Sequence, residues 1–130
     1  MTDISAPGQL TTHVLDTVKG GPAAGMHIEL HVFEPSPDDD ERDSWLSLRS
    51  VVTNDDGRID GPLLGGDDFK PGCYRLVFDV EGYFKAQGVA LPQPAFLGRV
   101  PIEFGMADAQ AHYHVPLLVS PWAYSTYRGS

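Results

Sequence analysis

The sequence predicts an all-β fold, an antiparallel sandwich of about eight short strands with one brief helical turn. Two observations carry that reading, and a third shows that such a fold can close a core. Stretches of about seven residues alternate apolar and polar side chains, the period-two signature of a strand with one buried face. Fourteen glycines and eleven prolines break the 130 residues into segments too short for long helices. The single cysteine, Cys73, rules out an internal disulfide, yet 42% hydrophobic residues in a chain of this length can close one core without a staple.

Taken in order, residues 1–9 are polar, contain Pro7-Gly8 and are expected to form a flexible arm ahead of a single domain spanning 10–130. Residues 10–16 form the first strand, with Leu10, Thr12 and Val14 facing one way and Thr11, His13 and Leu15 the other. Asp16, Gly20, Gly21 and Pro22 then turn the chain. Residues 26–33 are a one-sided strand whose apolar face is Met26, Ile28, Leu30 and Val32. The acidic, proline-rich run 34–43 reads as a solvated hairpin tip, because like charges repel and stay hydrated. A strand over 45–53 leads into Asn54-Asp-Asp-Gly-Arg58, an Asp-Gly turn that projects Arg58 at a fixed point. Residues 61–64 suit a short edge strand, and 73–80 alternate again, with Cys73 expected as a small buried hydrophobe. Residues 83–88 supply the helical turn, closed by glycine, and 97–104 the next strand.

The terminal stretch 111–130 holds the most chemistry. Alternation places His112, His114, Pro116 and Leu118 on one side of a strand and Tyr113, Val115, Leu117 and Val119 on the core side. Imidazoles beside apolar walls need hydrogen bonds or water, so this outer face reads as a lined cavity. Ser120-Pro121 interrupts the strand and a second extended run, 122–127, follows. Arg58, judged from its own segment, is an arginine on a turn and needs nothing beyond solvent. His112 and His114 at i and i+2, with His13, would also suit a three-histidine zinc site.

A net charge of -9 disfavours nucleic acid and anionic membranes as partners, since either requires a basic surface. The amino-terminal residues lack the basic and apolar regions of a secretory leader, and with one unpaired cysteine the expected location is the cytoplasm.

Three separated pieces resemble one family. Leu10-Thr-Thr-His-Val-Leu-Asp16, Asn54-Asp-Asp-Gly-Arg58, and His112-Tyr-His-Val-Pro-Leu-Leu with the terminal Tyr127-Arg-Gly-Ser130 are similar to the transthyretin-related 5-hydroxyisourate hydrolases of urate breakdown. The terminal tetrapeptide is the most specific piece, because it resembles the segment that separates these enzymes from the hormone carrier transthyretin. The resemblance implies a transthyretin-like (prealbumin-like) sandwich, assembled edge to edge into dimers and then into a homotetramer with a channel between dimers. It implies His13, Arg58 and His114 as catalytic residues. Tyr127, Arg128, Gly129 and Ser130, with Leu15 and Pro116, would contact the substrate. It implies no metal and no cofactor.

The implied substrate is a planar oxidised purine whose six-membered ring opens when water attacks an amide-like carbonyl. Histidine, with an ordinary pKa near ~6.5, supplies a neutral base at neutral pH. Arginine supplies a permanent charge and a planar fork of donors for a flat, urea-like edge. Either His114 or His13 can take the proton from water while the other orients it or protonates the departing nitrogen. A non-catalytic carrier of a hormone-like ligand is the rival reading, but it calls for apolar channel walls where this sequence places imidazoles and a guanidinium.

Overall fold

The computed structural model describes residues 8–35 and 44–129. Most of the expected arm (residues 1–7), the acidic run at 36–43 and Ser130 lie outside the described residues. Two sheets face each other. In the first, β1 (Gln9–Asp16) lies beside β8 (His112–Val119), and three two-residue strands extend it: β2 (Gly21–Pro22) and β5 (Leu64–Gly65) on β1, and β9 (Tyr124–Ser125) on β8. The second runs in the order β4 (Ser44–Val52), β3 (His27–Glu34), β6 (Gly72–Asp79), β7 (Arg99–Met106). All described pairings are antiparallel except β1 with β8, which run parallel from Gln9 opposite His112 to Asp16 opposite Val119.

The core lies between the sheets. Leu10 and Val14 of β1, Ile28 and Leu30 of β3, Leu76 and Phe78 of β6, and Leu117 and Val119 of β8 are fully buried. Each such side chain contributes roughly 1.5–3 kcal/mol by leaving water. Thr12 is the polar member of the β1 inner face, and its hydroxyl donates to the Val115 carbonyl at 2.7 Å. That bond clamps the parallel pair from inside and leaves Thr11 and His13 on the outer face.

The helix α1 (Val80–Ala86) begins where β6 ends, because the Asp79 side chain accepts the Gly82 amide at 3.1 Å as its cap. It therefore starts three residues earlier than the 83–88 turn expected from the sequence. Its Tyr83 reaches back to β1, donating its hydroxyl to the buried Asp16 carboxylate at 2.8 Å. The other carboxylate oxygen accepts the amides of Val18 and Lys19, so Asp16 joins strand, turn and helix. Burial and this carboxylate push the Tyr83 phenol well above its ordinary range.

Cys73 corrects an expectation: it is exposed. Its neighbours Tyr74, Leu76 and Phe78 take the inner face of β6, and alternation puts Cys73 on the outer face with Arg75. The second extended run near the carboxyl terminus is also shorter than expected. It pairs with β8 only at Tyr124 and Ser125, then returns to it at Gly129. No helix among the described residues is long and apolar enough to cross a membrane.

Candidate active site

The parallel register of β1 and β8 builds one outer face from two distant segments. Thr11 lies opposite His114 and His13 opposite Pro116. The Thr11 hydroxyl sits 2.8 Å from Nδ1 of His114 and 3.0 Å from Nε2 of His112, so one oxygen holds two imidazoles.

Arg58 arrives on the predicted turn. The Asn54 side chain accepts the amides of Asp56 at 2.9 Å and Arg58 at 3.2 Å, closing the turn on itself. Gly57 then comes so near β1 that a Cβ there would collide with the Val14 carbonyl, and its φ of +74° suits glycine alone. The Gly57 carbonyl takes the Val14 amide at 2.8 Å, which fixes the next residue, Arg58, beside the histidine face.

Thr11, Thr12, Arg58, Ile59, Gly61, His112 and His114 line a cavity of ≈ 320 Å³. It shares His112 and His114 with an adjoining groove of ≈ 710 Å³, completed by Tyr127, Arg128 and Gly129. A separate depression of ≈ 640 Å³ near Arg49, Lys70 and Tyr74 has no residue in common with these two and contains no histidine.

The terminal segment is tied to β8. The Gly129 amide donates to the His114 carbonyl at 2.8 Å, and a Cβ on Gly129 would lie 2.7 Å from Cδ2 of His114, so only glycine lets the chain pass over that ring. The Arg128 guanidinium lies 4.4 Å over the Tyr113 ring and donates to the His112 carbonyl at 3.4 Å. Tyr127 is exposed at the groove rim.

Burial first, and neighbouring charge second, set how these groups titrate. Burial lowers the His114 pKa below 6.5, and the neighbouring charges of Arg58, His13 and His112 lower it further. His13 is lowered by burial and then by Arg58, against a hydrogen bond to the Asp56 backbone and the Asp56 carboxylate, which pull it up. Both rings therefore stay neutral, and able to accept a proton, at neutral pH.

The structure thus gathers His114, Arg58 and Tyr127, Arg128 and Gly129 around two joined hollows, with His13 near enough to bear on His114 electrostatically. Leu15 and Pro116 share this face but line neither hollow, and Ser130 lies outside the described residues. Thr11 is the residue that sequence reasoning did not single out. Its parity with His13 was visible, but its partners became visible only with the parallel register. No three described histidine, cysteine or acidic residues converge to hold a metal ion, so the three-histidine alternative finds no donor set within one chain.

The sequence model of the HIUase/Transthyretin family matches residues 10–129. The chain belongs to that family. Within the family, the chain is 54% identical over 127 residues to 5-hydroxyisourate hydrolase 2 of Rhizobium meliloti (strain 1021), covering 98% of this chain and all of that one. Among solved structures it is similar to (S)-allantoin synthase, at TM-score 0.84 and 46% identity, over 97% of this chain and 45% of that one. Sea bream transthyretin in complex with thyroxine matches at TM-score 0.77 with 28% identity, over 93% of this chain and 94% of that one. The 5-hydroxyisourate hydrolase of Klebsiella pneumoniae matches at TM-score 0.73 with 29% identity, over 95% of this chain and 99% of that one, so fold alone does not separate the carrier from the hydrolases. The higher sequence identity lies on the hydrolase side.

Proposed function

We propose that this protein is a hydrolase that opens the six-membered ring of 5-hydroxyisourate, with water adding to an amide-like carbonyl and no cofactor required. The observation that supports this best is two imidazoles of lowered pKa kept neutral beside the Arg58 guanidinium, on one face with a cavity. A neutral imidazole, His114 or His13, takes the proton of the attacking water. The second imidazole orients that water or returns a proton to the departing ring nitrogen. Arg58 grips the flat edge of the anionic substrate and meets the negative charge growing on the carbonyl oxygen. Tyr127, Arg128, Gly129 and Ser130 wall the substrate, with Leu15 and Pro116 along the same face.

The working form is a homotetramer, a dimer of dimers. Both hollows are open in one chain, and exposed Val18 (61%), Trp122 (58%), Tyr124 (45%) and Tyr127 (60%) give apolar surface to copies that would close them. The unpaired, exposed Cys73 fits a cytoplasmic site of action, where thiols stay reduced.

The test is the decay of 5-hydroxyisourate generated freshly from urate by urate oxidase, followed by absorbance with and without this protein. Decay faster than in buffer and proportional to protein is expected. Decay equal to buffer, with thyroxine retained in equilibrium dialysis, would place the protein with the carriers instead.

A further inference from the structure

We infer that Thr11 is a positioning residue which, together with His112, holds His114 in the tautomer protonated at Nδ1, leaving the lone pair on Nε2 to take a proton from water. The inference rests on the hydrolase reading above and assigns to His114 the role of base, which that reading leaves between two histidines.

The geometry limits the choices. A hydroxyl has one hydrogen, and Thr11 Oγ1 lies within hydrogen-bond distance of His114 Nδ1 at 2.8 Å and His112 Nε2 at 3.0 Å. It cannot donate to both. In one arrangement His114 Nδ1–H donates to Oγ1 and the hydroxyl donates to His112 Nε2. In the reverse, His112 Nε2–H donates to Oγ1 and the hydroxyl donates to His114 Nδ1, which puts the His114 proton on Nε2 and removes its capacity as a base. If both rings donate, His114 again carries its proton on Nδ1.

The surroundings favour the first arrangement. Arg58 lines the same cavity as His114 and offers only donors, so a lone pair on the ring suits it better than a further N–H. His112 is exposed, and an N–H on its other nitrogen can be solvated. The remaining charged and titratable groups around the ring are His13 on β1, whose own partner is Asp56 of the turn, and, from the terminal segment, Tyr127, which lines the groove with His114, and Arg128, which holds the His112 carbonyl.

The proton count closes. Water gives one proton to His114 Nε2 and its oxygen bonds the carbonyl carbon. His114 becomes an imidazolium whose Nδ1–H still donates to Thr11, and Thr11 still donates to His112, so no hydrogen bond has to break as the charge forms. The Nδ1–H to Oγ1 bond strengthens when the ring is charged. The imidazolium then returns its proton to the nitrogen released by ring opening, or to solvent.

Nitrogen-15 chemical shifts of the histidines in the wild-type protein at pH above 7 read the tautomer directly. His114 protonated at Nδ1 is expected, and His114 protonated at Nε2 would overturn the inference, whether or not 5-hydroxyisourate is turned over. Kinetics give the second readout. Thr11→Val keeps the shape and removes the hydroxyl, so kcat should fall about 10- to 100-fold with KM little changed. Its acid limb should move to lower pH, because the imidazolium loses an acceptor, and Thr11→Ser should restore both. A Thr11→Val protein with wild-type kcat and pH profile would contradict the inference. Inactivity of the wild type itself would count against the hydrolase reading and leave the tautomer measurement to decide this one.

Discussion

Arg58 bears on both imidazoles at once, and this gives one residue two separable effects. Its charge lowers the pKa of His114 and His13, second only to burial in each case. In the proposed mechanism the base must be neutral, so activity should fall as pH drops through its pKa, and a lowered pKa should extend activity to more acidic pH. Removing the guanidinium should therefore shift the acid limb of kcat/KM upward, toward 6.5. It should also cost about 10² to 10³ in kcat/KM, as loss of an oxyanion donor does. Arg58→Lys keeps the charge but not the fork, so its limb should stay near the wild-type position while the rate falls. A pH series of initial rates on the three proteins checks both. At this scale the sequence was informative about which face each histidine takes, because alternation fixes parity at His13 and His114. It was silent on Thr11, whose importance depends on which strand lies beside it.

The turn that carries Arg58 shows what an element must supply. Asn54-Asp-Asp-Gly was readable as a turn from its side-chain hydrogen bonding and its glycine. That the glycine also abuts Val14 was not readable, since the contact joins residues 43 positions apart. Gly57→Ala meets both a φ of +74° and the Val14 carbonyl, and should destabilise the fold by about 1–3 kcal/mol in urea denaturation. Because the turn has to move off β1, activity should fall as well, even at low temperature where the protein remains folded. The direction of β8 relative to β1 was equally hidden, since period-two patterning is the same for parallel and antiparallel neighbours. Cys73 was misread for a related reason. Residue type suggested burial, while its parity with Arg75 on β6 put it outside. Similarly, the helix begins at Val80 because Asp79 caps it, a signal outweighed in the sequence by the strand pattern running through residue 80.

For the whole molecule, the sandwich buries its inner faces as the core and gathers the candidate site on one outer face. Leu10, Thr12 and Val14 are buried while Thr11 and His13 stand on the reverse of the same strand, and β8 divides in the same way between Val115 and His114. Period two was enough to predict that division and the two-sheet class. The expected assembly comes only from the resemblance, because nothing in an alternating strand states which edge meets a second copy. His13 and His114, far apart in sequence, are proposed to act together on one planar molecule. Kinetics on His13→Asn, His114→Asn and the double variant test this most directly, using kcat/KM for 5-hydroxyisourate. Each single change should cost about 10² to 10⁴, and the double should fall little below the worse single, because groups that act as a unit are not additive. Single variants near wild type, or a double loss equal to the product of the two, would contradict the account.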